Sequence, residues 1–110
     1  MAPPITVRRW DDSNAEPLSE EAVRSRFPPE KYRVGVYRYP ALTKFSGTMR
    51  RGTCHVIRGT CRYLFDSDLT LQPGDVAELP EGTYVLEALG EEELVIALCW
   101  ELPFEFNRIH

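Results

Sequence analysis

The chain has 110 residues, of which 43% are hydrophobic and 27% charged, a composition typical of one globular domain. Its net charge of −4 argues against nucleic acid as a partner, and no apolar run is long enough to span a bilayer. The start, MAPPITVRRW, has no apolar stretch behind its basic residues, so we expect no signal peptide. The three cysteines are then expected to be reduced thiols of a cytoplasmic protein.

The first 30 residues predict a short strand followed by a short helix. Residues 5–7 are β-favouring and fit a strand at a sheet edge or on a partner subunit. In the run LSEEAVRSRF, Ser19 is placed to cap a helix and acidic residues follow in its first turn. Pro28 ends this helix after about two turns.

From residue 31 onward the hydrophobic pattern has a period of two, which is typical of strands. Short β-branched or aromatic runs alternate with Gly, Pro and Asp turns, and eight such runs occur: KYRVGVYRY, KFSGT, TCHVIRG, CRYLF, DLTL, DVAEL, TYVLEA and ELVIALCWE. Such a series predicts an antiparallel all-β sandwich or barrel. We therefore expect a single domain over 1–110, with an N-terminal strand and helix (1–30), a barrel (31–102) and a C-terminal tail (103–110) that packs back on it.

The run LQPGDVAELPEGTY marks two corners of the predicted barrel. Gly74, Pro80 and Gly82 match, at the right spacing, a motif of the cupin superfamily, which the chain resembles. Cupins are small jelly-roll β-barrels, so the resemblance implies that fold. The motif continues with a histidine and an asparagine, and here those positions fall on Val85 and Leu89.

The other cupin motif is similar to HVIRG at residues 55–59. The resemblance places a pair of metal-binding histidines near Phe45 and Gly47, and a glutamate near Gly52. Neither these three residues nor Val85 can bind a metal, so we expect no metal and no other cofactor. A mixed site remains as an alternative, with Cys54, His55 or Cys61 joined by Glu78 or Glu87.

Charge is divided between the two halves of the barrel sequence. Residues 31–62 contain eight basic residues and no acid, namely Lys31, Arg33, Arg38, Lys44, Arg50, Arg51, Arg58 and Arg62. Residues 66–105 contain eleven acids and no Lys or Arg. Two interpretations stay open: the halves pair across strands, or some arginines line a pocket for an anionic ligand.

Strand alternation and the resemblance together supply candidate site residues. The cupin orientation would turn Cys54 and Val56 into the barrel and His55 outward. An aromatic-rich interior is expected from Tyr37, Tyr39, Tyr63, Phe65, Tyr84 and Trp100. The acid–base or nucleophile candidates are Glu87, Tyr37, His55 and Cys54. The ligand-binding candidates are Arg38, Phe45, Val56, Arg62, Tyr63, Val85 and Trp100.

Val85 stands at an interior position of the motif, and Glu87 shares its strand face. Two interpretations of Glu87 stay open: an exposed glutamate at an edge or dimer rim, or a buried carboxylate that would need Arg38 or Arg62 as its partner. The first hypothesis is a metal-independent cupin that binds a small organic molecule inside the barrel. Its arginines would favour an anionic ligand. The alternative is a metal-free isomerase, cyclase or lyase. A metal-dependent oxygenase with atypical ligands ranks third, and the resemblance also implies a homodimer.

Overall fold

The structure is a computed structural model, and it describes residues 5–65 and 68–102. The strands are β1 (Thr6–Arg9), β2 (Tyr32–Tyr39), β3 (Lys44–Met49), β4 (Gly52–Arg58), β5 (Thr60–Leu64), β6 (Asp68–Leu71), β7 (Asp75–Leu79), β8 (Gly82–Leu89) and β9 (Leu94–Glu101). One α-helix, α1 (Glu20–Arg26), follows a 3-10 turn at Trp10–Asp12. The all-β class expected from the sequence is confirmed, whereas the tail at 103–110 lies outside the described residues.

The strands form two antiparallel sheets that face each other. The first sheet has the order β1-β7-β4-β9-β2 and the second the order β3-β8-β5-β6. Among the described strands no pair joins the two sheets, so the expected closed barrel is instead an open two-layer sandwich. Gly59, whose φ is 80°, lies at the connection that takes the chain from β4 in one sheet to β5 in the other.

The main hydrophobic core lies between the two sheets. Alternate residues of each strand point into it, and β4 contributes Cys54 and Val56, both completely buried. Tyr63 of β5, Leu86 of β8 and Ile96 of β9 meet them from the neighbouring strands. On each strand, the alternate residues that point into this core define its inner face, and the residues between them define its outer face.

The outer face of the first sheet is covered by the N-terminal segment. Ser19 caps α1, since its Oγ accepts a hydrogen bond of 3.1 Å from the Ala22 amide. Val23 of this helix is completely buried and joins Trp10 in a second cluster against the outward side chains of the sheet. Burying one such valine contributes about 1.5–3 kcal/mol, so packing rather than length stabilises this short helix.

In the part of the chain that the structure describes, no helix combines the length and the apolar character needed to cross a membrane.

Candidate functional site: an aromatic cavity between the sheets

A cavity of about 670 Å³ opens between the sheets on the side of the edge strands β2 and β3. This volume lies within the range of small-molecule sites. Most of its wall is aromatic or apolar, and the lining residues of that kind are Tyr37, Tyr39, Met49, Tyr84, Leu98, Trp100 and Leu102. Its polar lining residues are Arg33, Thr48, Arg50 and Glu101.

Three strand glycines allow aromatic side chains to approach the backbone closely around the cavity. A Cβ added at Gly35 would lie 2.8 Å from the Tyr37 ring, and one at Gly47 would lie 3.2 Å from the Tyr84 hydroxyl. A Cβ at Gly52 would lie 2.9 Å from Cδ1 of Trp100. Glycine within a strand often marks such a close approach, because a side chain there would displace the ring.

The residues around Gly47 and Gly52 do not fit the metal that a cupin resemblance implies. Both positions, where the family has ligands, are covered by the rings of Tyr84 and Trp100. Phe45, at the third position, lies between Tyr39 and Tyr84, with ring centroids 5.0 Å and 6.2 Å away. Within residues 5–65 and 68–102, His, Cys, Asp and Glu form no group of three that could bind a metal.

Two tyrosines of the cavity, Tyr39 and Tyr84, carry neutral phenols. Burial, reinforced by the neighbouring phenols, raises the pKa of Tyr39 and that of Tyr84 above the usual value near 10. At neutral pH both hydroxyls keep their protons, so each can donate a hydrogen bond to an oxygen of a ligand. The wall thus combines flat apolar faces with a few directed donors.

The inward position expected for Val85, and the buried interpretation of Glu87, are wrong, because both residues lie on the outer face of the second sheet. Tyr84, Leu86 and Ala88 of β8 pack into or against the core, and strand alternation turns the residues between them outward. The inward place that the motif assigned to Val85 therefore belongs to its neighbour Tyr84, which opposes Gly47 in the register of β3 and β8.

Glu87 does pair with Arg62, as expected, but outside the core. Arg62 Nη2 donates a hydrogen bond of 3.0 Å to Glu87 Oε1, and Lys44 Nζ lies 3.5 Å from the same oxygen. The hydrogen bond from Arg62 is the main reason that the pKa of Glu87 lies below its usual value. Arg38, the other expected partner, pairs instead with Glu93 at 3.6 Å and does not line the cavity.

Three other candidates lie deep in the inter-sheet core and do not line the cavity: Cys54, Val56 and Tyr63. Burial raises the pKa of the Cys54 thiol to about 12, while its contact with the Tyr63 hydroxyl at 3.6 Å lowers it slightly. Thiolate is the nucleophilic form of cysteine, so this thiol is unreactive at neutral pH. These residues pack the floor beneath the cavity.

His55 faces outward from β4, away from the cavity. It is 1% exposed and lies under the N-terminal segment, where its ring meets those of Trp10 and Phe27 edge-on at 5.9 Å and 5.5 Å. Its Nδ1 lies 3.3 Å from the Ala97 carbonyl oxygen. Burial lowers the pKa of His55, so the imidazole is neutral at pH 7 and packs as part of the second cluster.

Of the residues expected to form the site, the structure places Tyr37 and Trp100 in the cavity wall. Sequence reasoning missed Arg33, Arg50 and Met49. A signal for Arg33 existed, since it shares its strand face with Gly35, Tyr37 and Tyr39. Arg50 lies in the turn after β3, where strand alternation makes no prediction.

The known structures that match this fold include cupins. The cupin domain of Cnp3 from Schizosaccharomyces pombe matches with a TM-score of 0.58 and 11% identity over 74% of this chain and 60% of that chain. A cupin superfamily protein from Desulfitobacterium hafniense DCB-2 matches with a TM-score of 0.56 and 12% identity, over 91% of this chain and 79% of that one. A Rhizobium leguminosarum protein of unknown function reaches a TM-score of 0.57 at 20% identity, covering 82% and 98% of the two chains.

The two antiparallel sheets define a β-sandwich, and the likeness to these structures identifies the kind of sandwich. The chain has a cupin fold. No protein-family model matches the sequence, and no curated protein matches it. At identities of 20% or less the fold does not carry a function with it.

Proposed function

We propose that this cupin domain binds a small organic molecule in the cavity between its sheets without the help of a metal ion. The observation that carries the proposal is the aromatic wall at the positions where the family has metal ligands. Rings of Tyr84 and Trp100 cover Gly47 and Gly52, and an open cavity of about 670 Å³ remains beside them. Aromatic faces with a few polar groups are typical of small-molecule sites.

The acid–base alternative has little support from the arrangement of its candidates. Glu87 and His55 face away from the cavity and Cys54 lies beneath it, so only Tyr37 is placed to touch a ligand there. The two neighbouring phenols with a shifted pKa, Tyr39 and Tyr84, stay protonated at neutral pH and supply no base to pair with it. Binding is therefore the function that we propose, and catalysis stays a hypothesis.

The expected homodimer and the cytoplasmic location also stay predictions. Each sheet ends in two edge strands among those described, β1 and β2 in the first and β3 and β6 in the second. Such edges are available for pairing with another chain. A partner on β2 or β3 would border the cavity directly.

The proposal is tested with naphthalene-2-carboxamide, a flat neutral probe, in a titration followed by ¹H–¹⁵N NMR. We expect the indole signal of Trp100 to shift, because this ring lines the cavity. Tyr37→Ala, which removes a wall residue that is already 38% exposed, should weaken the binding several-fold. Arg38→Ala is the matched control, since it changes the next residue of β2 on the opposite face.

Saturable shifts that are weakened by Tyr37→Ala and not by Arg38→Ala would support the proposal. A probe that leaves Trp100 unshifted, or that both variants weaken equally, would contradict it. Thermal melting of both variants confirms that each one is folded.

A further inference from the structure

Ion pairing divides the basic half of the barrel sequence into two equal groups. Four of its eight cations pair with acids, at Arg38–Glu93, Lys44–Glu87, Arg58–Glu92 and Arg62–Glu87. The other four, Lys31, Arg33, Arg50 and Arg51, form no ion pair within residues 5–65 and 68–102. Pairing with the acidic half therefore accounts for four of the cations. A pocket for an anionic ligand remains a possible role for the other four.

These four cations lie where β2 begins and in the turn between β3 and β4, and two of them, Arg33 and Arg50, line the cavity. Lys31 and Arg33 stand where β2 begins, beside the end of β9, because Tyr32 opposes Glu101 in the register. Arg50 and Arg51 form the turn between β3 and β4. The arginines of the N-terminal segment are paired, to Glu78, Asp75, Glu20 or Glu16. Among the described residues, ion pairing is therefore the common state of a basic side chain, and these four cations depart from it.

The charged residues that line the cavity favour the binding of an anion there rather than in the neighbouring groove. Arg33 and Arg50 line the cavity together with one acid, Glu101. A second groove, of about 610 Å³ on the outer side of the same rim, is lined by equal numbers of charges: Arg8, Arg50 and Arg51 against Glu78, Glu81 and Glu101. A net positive lining attracts an anion, whereas a balanced lining gives no such preference.

We propose that the ligand of the cavity carries a carboxylate or phosphoryl group, which Arg33 and Arg50 bind while its flat apolar part lies against Tyr37, Tyr84 and Trp100. The guanidinium fork matches both kinds of anionic group. This inference rests on the proposed function and adds the class of ligand to it. Arg38 and Arg62, the arginines expected from the sequence to bind the ligand, pair instead with Glu93 and Glu87. Arg33 and Arg50 take their place in this proposal.

The test compares three probes of one shape: 2-naphthoate, 2-naphthyl phosphate and the neutral naphthalene-2-carboxamide. Because both arginines are solvent-exposed, we expect a modest gain of about five- to tenfold in affinity for an anionic probe over the carboxamide. The gain should fall as salt is raised, and whichever anion binds more tightly identifies the group.

The variants are Arg33→Gln and Arg50→Gln, separately and together, with Arg58→Gln as the control. Arg58 is an exposed arginine of the same sheet that pairs with Glu92 and does not line the cavity. The double variant should bind all three probes with equal affinity, while Arg58→Gln should keep the preference for the anions.

Two results would overturn the inference and separate it from the proposed function. If all three probes shift the Trp100 signal with equal affinity in the unchanged protein, the cavity binds ligands, but the inference that its ligand carries an anionic group is wrong. If the arginine variants weaken the carboxamide as much as the anions, the arginines shape the cavity and do not bind charge. If no probe shifts Trp100, the proposed function fails as well.

Discussion

Gly52 and Gly47 make a matched pair of positions for testing how the aromatic wall is built. A Cβ at Gly52 would lie 2.8 Å from the backbone oxygen of Cys99 and 2.9 Å from the ring of Trp100. A Cβ at Gly47 would meet only the Tyr84 phenol, at 3.2 Å, and the end of a side chain can move. Alanine should therefore be harmful at the first position and tolerated at the second.

The magnitude follows from the difference between the two variants. Each Gly→Ala change lowers the entropy of the unfolded chain by a similar amount, about 0.4–1 kcal/mol, so this contribution cancels between them. Overpacking that displaces backbone costs about 1–3 kcal/mol. Gly52→Ala should thus unfold with about 1–3 kcal/mol less free energy than Gly47→Ala, which for a domain of this size lowers Tm by roughly 5–15 °C.

Urea titration followed by circular dichroism measures both free energies of unfolding, and differential scanning fluorimetry gives the two Tm values. Gly47→Ala should also alter the NMR signals of Tyr84 while leaving stability within about 0.5 kcal/mol of the unchanged protein. Equal stabilities for the two variants would refute the packing of Trp100 on Gly52, and with it the argument that this ring has replaced a metal ligand.

Three further predictions concern groups outside the cavity. Because burial holds the pKa of His55 below the value near 6.5 of the unfolded chain, the unfolded state takes up a proton first, and stability should fall as pH drops from 7.5 to 5.5. His55→Gln should flatten that part of the pH profile in urea titrations, and an unchanged slope would contradict the buried neutral ring. Glu87→Gln should change the affinity for 2-naphthoate less than twofold in an NMR titration, because Glu87 lies on the outer face; a loss of tenfold would return this carboxylate to the site. The thiols of Cys54 and Cys99, with pKa values raised by burial to about 12, should react with iodoacetamide at pH 8 at least about 100-fold more slowly than glutathione, as measured by mass spectrometry, and rapid labelling would show that either one is accessible.

The fold was predictable because strand periods and turn residues are local properties of the sequence. Gly74 and Gly59 both have positive φ, so the corners that the turn pattern indicated are imposed by backbone geometry. The inward orientation of Cys54 and Val56, which the cupin resemblance implied, is observed. Closure into a barrel was not predictable, because it depends on whether the edge strands β2 and β3 meet, and no local pattern records that.

The site was predicted only in part, and a shift of one residue explains most of the error. On β8 the motif placed Val85 inward, whereas Tyr84 takes that place, and a one-residue change of register reverses every side chain of a strand. Glu87 moved to the outer face with Val85 for this reason. Arg50 was missed because it lies in a turn, where the direction of a side chain depends on contacts across the rim.

Native mass spectrometry of the full chain, purified without an affinity tag, tests the central claim most directly. The claim is that the space of the usual metal site now holds aromatic rings and receives an organic anion. We expect a fraction of the protein to carry the added mass of a small organic molecule, and this fraction should be lost in the Arg33→Gln/Arg50→Gln double variant and kept in Arg58→Gln. A protein that instead carries one iron, zinc or manganese ion per chain would contradict the claim.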